Sequence, residues 1–416
     1  MPRISFLRYL ALGVCLFACH RDRGGGGPSA SAAPSSRGPA AGAPGECLTQ
    51  FDFLVPFQKY GEADLIRSIV VDGDQVYFRD MKDLYRVPLA GGTPTVMSKA
   101  PELALDGRTT VWVSGDRLLS QSPHEPIFMA APKSGGAWTT IIDLSREKLG
   151  GGRSATNRIL HDIGKGSSSA TAGSAIFDGV SFYWTERRAG AKGSAPSSSI
   201  RTVPLSGGEG RTLYEASGEF GSLAKAGDRL VFMQVDPAPP EPESEKHAAA
   251  KKGVIHIAPK GASALWSIPV TGGKAERLVR IANAFGSEVL VTDGPTLYLT
   301  GYQDEDFAKP GIFRMAATGG SLERLEPQVL TGTAFLYGDR VVLVGSGRIG
   351  TPAPGTIPET GKVVFTGARK GGTLERTACI VGNYTTHAYA VSGKTLLISI
   401  FRSDDRLAGI IRVALP

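Results

Sequence analysis

Short apolar stretches alternate with glycine-containing turns along most of the chain. The run Gln75–Phe78 follows the dipeptide Asp72-Gly73, and a similar β-prone run follows a similar turn six more times. Glycine next to Asp or Ser accepts the positive φ that a tight hairpin needs. We therefore predict seven hairpins, at Asp72-Gly73, Asp106-Gly107, Asp178-Gly179, Gly227-Asp228, Asp293-Gly294, Gly338-Asp339 and Ser392-Gly393.

A second pattern follows each of the first six hairpins. An apolar strand ends in a Gly-Gly pair, which permits a tight reversal into a fourth strand. Glu-Arg recurs at one offset after three of these pairs, and charged residues suit an exposed edge strand. The pairs are Gly91-Gly92, Gly135-Gly136, Gly207-Gly208, Gly272-Gly273, Gly319-Gly320 and Gly371-Gly372, and the Glu-Arg steps are 276–277, 323–324 and 375–376.

The two patterns together define a four-stranded antiparallel unit that repeats every ~40–50 residues, as in the blades of a β-propeller. The seventh copy stops at Pro416, where the third strand ends in the other copies. The segment Leu48–Pro56 alternates like a strand and belongs to no copy. We predict an all-β propeller of seven four-stranded blades, closed by this N-terminal latch strand. Six blades are the structural alternative.

These repeats, with their Pro-x-x-Gly-Gly turns, resemble the bacterial extracytoplasmic β-propellers, a group that includes the TolB-like repeat proteins. The resemblance covers about residues 48–416. It implies the fold and an extracytoplasmic location, and it implies no particular activity.

The first residues look like an export signal. Arg3 and Arg8 precede the apolar stretch 9–18, which is too short to span a bilayer as a helix. The sequence Leu16-Phe17-Ala18-Cys19 resembles the bacterial lipobox, which implies lipidation of Cys19 and an outer-membrane anchor. An ordinary secretory signal is the alternative. We expect a signal peptide at 1–18, a lipidated Cys19 with a disordered Gly/Ser/Ala/Pro tether over 19–46, and the propeller at 47–416.

The charge pattern limits the partners. The formal net charge is +7, but the basic residues are scattered and mostly lie beside acidic ones. Without a basic stripe interleaved with aromatic residues, we expect no nucleic-acid binding. Two long insertions, 144–171 and 236–252, interrupt the repeat. Such loops carry binding in many proteins, although solvated insertions explain either one alone.

Two cysteines remain after the leader, Cys47 at the start of the latch and Cys379 at the end of the outer strand of blade six. An exported protein meets an oxidising compartment. If the latch joins blade seven, the two thiols are neighbours and a disulfide would clamp the ring. Two free thiols are the alternative.

No motif predicts a catalytic, cofactor or metal site. Residues 345–350 (GSGRIG) match G-x-G-x-x-G, but Thr351-Pro352 follows and cannot open the helix that a dinucleotide site requires. The six histidines have no zinc-ligand spacing. We therefore expect no cofactor.

The inner strand of each blade lines the central funnel of a propeller. Counting back from each hairpin gives four titratable residues facing the axis, namely Arg67, Glu102, Glu288 and His387. Four scattered groups make a weak metal or acid–base site.

The sequence favours a non-enzymatic propeller at the cell envelope that presents a face or loops to a protein or glycan partner. The alternative is an envelope enzyme with a metal-dependent funnel, similar to a lactonase or a quinoprotein. A purely structural envelope component is a third possibility. Several carboxylates or histidines meeting at the axis would identify the enzyme.

Overall fold

The structure is a computed structural model. It describes residues 47–48, 51–58, 65–80, 83–99, 111–121, 127–144, 170–188, 197–235, 263–281, 283–292, 294–302, 310–325, 329–349, 359–382, 384–402 and 404–416. The predicted leader, Cys19 and the tether lie outside this part of the chain. No helix in the described ranges could cross a membrane.

The described residues form seven sheets, and each contains one complete four-stranded blade. Blades one to three contain β3 (Ser68–Asp72), β4 (Gln75–Arg79), β5 (Asp83–Pro88), β6 (Thr95–Lys99), β7 (Val111–Ser114), β8 (Arg117–Gln121), β9 (Ile127–Pro132), β10 (Thr139–Asp143), β11 (Ala170–Phe177), β12 (Ser181–Arg188), β13 (Ser197–Pro204) and β14 (Arg211–Ser217). Blades four and five contain β15 (Glu219–Ala226), β16 (Arg229–Val235), β17 (Ser263–Pro269), β18 (Glu276–Ile281), β19 (Asn283–Thr292), β20 (Thr296–Tyr302), β21 (Pro310–Ala316) and β22 (Glu323–Arg324). Blades six and seven contain β23 (Val329–Tyr337), β24 (Arg340–Ile349), β25 (Glu359–Ala368), β26 (Glu375–Val381), β27 (Tyr384–Ser392), β28 (Thr395–Arg402) and β29 (Leu407–Ala414), with β1 (Cys47–Leu48) and β2 (Asp52–Gln58) from the N-terminal segment.

The predicted seven-bladed propeller is confirmed, and so is its closure. Strand β2 pairs antiparallel with β29 and supplies the fourth strand of blade seven. The guanidinium of Arg412 donates to both carboxylate oxygens of Asp52, at 2.9 and 2.8 Å, and to the carbonyl of Leu89 in blade one at 3.1 Å. The latch is therefore joined to the first blade as well as to the last.

The N-terminal segment also pairs with blade six, which the repeat did not predict. Its first residues form β1, which pairs parallel with β26 as a fifth strand of blade six. Cys47 lies opposite Cys379 in this pairing, and the two cysteines form a disulfide with Cα atoms 4.3 Å apart. The N-terminal segment thus joins blades six and seven.

Blade two corrects one prediction. Asp106-Gly107 was expected to be its first hairpin, but Val111–Ser114 is the innermost strand β7, and the turn is Gly115-Asp116, with Gly115 at φ 56°. Blade two offers two glycine-containing turns nine residues apart, and apolar pattern alone does not choose between them. Glu102, counted back from the wrong turn, lies outside the described residues.

Every join between consecutive blades is apolar in the described residues. Val344 of blade six packs in one cluster with Ile398 of blade seven, and Leu397 of blade seven packs with Val76 of blade one. Equivalent clusters fill the other five joins. Because both faces of a blade are buried, its inner strands are nearly continuous apolar runs rather than alternating ones.

Candidate functional site

The two ends of the propeller are built differently. We define the start face as the end at which the innermost strand of each blade begins, and the turn face as the opposite end. Contacts such as the amide of Val111 donating to Ser68 Oγ at 3.2 Å join the starts of neighbouring inner strands. In a four-stranded antiparallel blade, the first and third connections lie at the turn face, and the other connections lie at the start face.

The turn face is regular. Its connections are the repeated hairpins and Gly-Gly turns, and all six Gly-Gly pairs have positive φ. The strands that flank both long insertions meet them at the start face, since β10 and β16 end there and β11 and β17 begin there. Most residues of 144–171 and all of 236–252 lie outside the described part of the chain. A rigid scaffold with variable connections at one end is the usual arrangement of a functional surface.

Buried polar side chains are concentrated near the start face. They occupy the ends of second strands and are almost inaccessible to water, with exposures of 3% for Arg79, 7% for Gln121, 1% for Glu186 and 7% for Gln234. Burial of polar groups is unfavourable unless they are hydrogen-bonded. These four buried polar side chains therefore set the start-face end of the blades apart from the apolar joins between them.

His387 is the clearest chemical group at this end. It lies near the start of β27, where a bulge follows Thr386, and Thr385 Oγ1 is 3.3 Å from its Nε2. Burial, and then the positive charges of Arg67 and Lys362, lower the pKa of His387 from 6.5 to about 4. The imidazole is therefore neutral at physiological pH.

Arg67 and Lys362 reach His387 from two other blades. Arg67 directly precedes β3, and its amide donates to the carbonyl of Arg79 at 2.8 Å. Lys362 is near the start of β25, and its Nζ is 2.7 Å from Ser346 Oγ on β24. Burial lowers the pKa of Lys362 below its ordinary value of 10.5. Two bases with lowered pKa values, His387 and Lys362, thus lie near each other, and the charge of Arg67 acts on the first of them.

The structure brings together two of the four funnel residues found in the sequence. Arg67 and His387 are close enough for one charge to act on the other. Glu288 lies in the inner strand β19, where its backbone pairs with Thr300, and Glu102 is not described. Two groups were missed, Lys362 and Ser346, because only first strands were searched. Their opposed positions on β24 and β25 follow from register, which the sequence did not fix.

The described part of this site does not fit a bound metal. No three His, Cys, Asp or Glu side chains in the described ranges form a group that could hold one. Of Arg67, Lys362, Ser346 and His387, only the histidine is a common metal ligand. We therefore derive no step through a metal ion.

Comparison with known proteins relates the fold to solved structures only. No known family profile matches the chain, and no curated protein matches it in sequence. Oligogalacturonate lyase from Vibrio parahaemolyticus gives a TM-score of 0.54 at 10% identity, over 88% of this chain and 93% of that one. An oligogalacturonate lyase in complex with manganese gives 0.52 at 12% identity, over 89% and 98%. A puromycin-hydrolysing peptidase from Mycobacterium tuberculosis gives 0.51 at 14% identity, over 90% and 54%.

These neighbours are enzymes, and this finding overturns the expectation of a non-enzymatic scaffold for a protein or glycan partner. The prediction was wrong because it rested on finding few titratable residues at the axis, and it considered one strand of each blade. At 10–14% identity the comparison establishes the fold, and the substrates named belong to the neighbours.

Proposed function

We propose that this chain is an exported, lipid-anchored propeller enzyme that binds an anionic substrate at the start face and acts on it by general-base chemistry. The observation that carries the proposal is that Arg67 and Lys362 both lie near His387, and that the pKa values of His387 and Lys362 are both lowered. Titratable groups shifted in this way are concentrated at active sites. The enzymatic neighbours support the same interpretation.

Arg67 is the fixed charge of the proposed site. A guanidinium remains protonated at any physiological pH and binds carboxylates through paired hydrogen bonds. It would attract an anionic substrate, or stabilise negative charge that develops on the substrate during reaction. Arg67 is half-buried at the start of β3, so it is partly shielded from solvent.

His387 and Lys362 would supply the bases. A general base must be neutral before it can accept a proton, and lowered pKa values favour the neutral imidazole and the neutral amine. Binding of an anion would offset the positive charge of Arg67, and the pKa of His387 would then rise from about 4 towards its ordinary value. The histidine would become a better proton acceptor only when substrate is present.

The proposed location rests on the N-terminal residues. Cys19 would carry the lipid and hold the propeller at the outer membrane. If the lipobox is not used, the protein would instead be secreted. The Cys47–Cys379 disulfide supports an oxidising compartment. We expect Cys19→Ser to move the protein from the membrane fraction to the soluble fraction, and continued membrane association would contradict the anchor.

The enzyme proposal is tested with matched pairs of substrates. Esters and uronate oligosaccharides are offered in a carboxylate form and in a neutral amide or methyl-ester form, and product is followed by mass spectrometry. We expect turnover of the carboxylate forms. Because a hydrogen bond to a charged group contributes about 1.5–3 kcal/mol, Arg67→Met should lower kcat/KM for these forms by roughly 10–100-fold.

The matched control is Arg229→Met. Arg229 begins β16 at the turn face, where it pairs with Glu276 at 2.7 Å, so its loss should leave kcat/KM unchanged. Equal turnover of charged and neutral forms, or an equal effect of both arginine variants, would refute the anionic-substrate proposal. Absence of turnover throughout the panel would count against the enzyme itself.

A further inference from the structure

Lys362 and Ser346 form a closer pair than any other two groups of the proposed site. They are cross-strand partners on β25 and β24, and Nζ and Oγ are 2.7 Å apart. A separation of this size allows a proton to pass in either direction: an ammonium donates to the hydroxyl, and a neutral amine accepts from it. No carboxylate of the described residues contributes to the pKa of Lys362. The lysine is thus a half-buried base beside a hydroxyl.

The backbone around Ser346 is unusually rich in glycine. Gly345 and Gly347 flank the serine, Gly332 pairs with Gly345 from β23, and Gly361 pairs with Gly347 from β25. Glycine weakens the interior of a strand, and its presence there is typical of close approach by another backbone or a ligand. At Gly332 the approach is by backbone, since an added Cβ would lie 2.3 Å from the Val344 carbonyl. Because side chains alternate between the two faces of a strand, Gly345 and Gly347 lie on the face of β24 opposite the Ser346 side chain, and what they permit is close approach to the backbone.

We infer that Ser346 is a nucleophile and Lys362 its general base, and that the reaction is hydrolysis of an ester through an acyl-enzyme. This inference rests on the proposed function and names its reaction class. Serine needs an adjacent base to become nucleophilic, and lysine performs that role in Ser–Lys pairs. A lysine can do so only as the neutral amine, which burial favours.

The steps balance without any other reagent than water. Ser346 Oγ attacks the ester carbonyl carbon while its proton passes to Lys362 Nζ. The ammonium then returns that proton to the departing alkoxide as the C–O bond breaks, which leaves an acyl-serine and an alcohol. Water attacks the acyl carbon and gives a proton to Lys362, which protonates Ser346 Oγ as the carboxylic acid leaves.

The test uses a fluorophosphonate probe on the full chain, with the labelled residue identified by peptide mass spectrometry. We expect one adduct, on Ser346, and a labelling rate that rises with pH with a midpoint below 10.5, the ordinary pKa of lysine. Lys362→Met should lower the rate by about 10²-fold, the usual contribution of a general base. Lys362→Arg keeps a cation that cannot act as a base, and it should be equally slow.

Ser222→Ala is the matched control, because Ser222 is a half-buried serine on the inner strand β15. It should label like the natural protein, whereas Ser346→Ala should not label. Thermal unfolding of each variant establishes that it is folded. Absence of an adduct on Ser346, or undiminished labelling of folded Lys362→Met, would overturn the inference and leave the pair as a structural hydrogen bond. If Arg67→Met still lowered kcat/KM for anionic substrates in that case, the proposed function would stand without this nucleophile.

Discussion

Removal of the Cys47–Cys379 disulfide gives the sharpest test of how the ring is held closed. The bridge joins residues 332 positions apart, so it encloses nearly the whole propeller. The chain-entropy relation gives about 6 kcal/mol for a closed loop of this length near 25 °C, above the roughly 2–5 kcal/mol measured for native disulfides. We expect Cys47→Ser/Cys379→Ser to lose about 4 kcal/mol, equivalent to a fall in Tm of roughly 5 °C for a domain of this size.

The assay is differential scanning fluorimetry of the natural and the double-variant chain, each with and without reductant. Reductant should lower the Tm of the natural chain to that of the variant. The variant lacks both cysteines of the bridge, so its own Tm should not respond. An unchanged Tm on reduction of the natural chain would refute the loop-entropy argument. It would mean that β2 and the Arg412–Asp52 pair hold the ring closed without the disulfide.

Three further outcomes are expected. Glu186→Gln removes the buried negative charge 3.3 Å from the Arg201 guanidinium and should lower the free energy of unfolding in urea by about 3 kcal/mol. Glu219→Gln, in an exposed pair, should change it by less than about 1 kcal/mol. Gly332→Ala should lower the free energy of unfolding by about 1–3 kcal/mol, because the added Cβ meets the Val344 carbonyl. Gly221→Ala should lower it by less, because its Cβ meets Met233 Cβ at 3.4 Å. The pKa of His387 is about 4 in the folded state and 6.5 in the unfolded state, so the unfolded state binds more protons between these pH values. The contribution of His387 to the free energy of unfolding should be complete above pH 6.5 and fall as the pH drops towards 4. In His387→Gln this fall should be shallower.

Blade two shows where sequence reasoning failed within a fold that it predicted correctly. Asp106-Gly107 and Gly115-Asp116 are both acceptable hairpins in the sequence, and the second lies between the paired strands β7 and β8. The choice depends on which apolar run packs against its neighbours, and Val111 and Leu118 are buried against blade one. Turn chemistry is local, so it cannot report this packing. Because the funnel residue of blade two was counted back from the wrong turn, Glu102 was selected.

The candidate site was predictable only in part, and for a related reason. Arg67 and His387 came from counting along inner strands, because those strands line the axis in every propeller. Lys362 lies on a third strand and Ser346 on a second strand, and neither is marked by a motif that specifies this chemistry. The G-x-G-x-x-G match at 345–350 did include Ser346, but it pointed to a cofactor and was set aside.

The sequence by itself determined the repeat, the number of blades and the origin of the closing strand. Those features depend on hydrophobic periodicity and on turns, which are written in neighbouring residues. The tertiary structure decided that Cys47 meets Cys379, that β1 joins blade six, and that Arg67 and Lys362 lie close enough to act on His387. These contacts join residues that are far apart in the chain. They depend on closure of the ring and on strand register, and neither follows from local pattern.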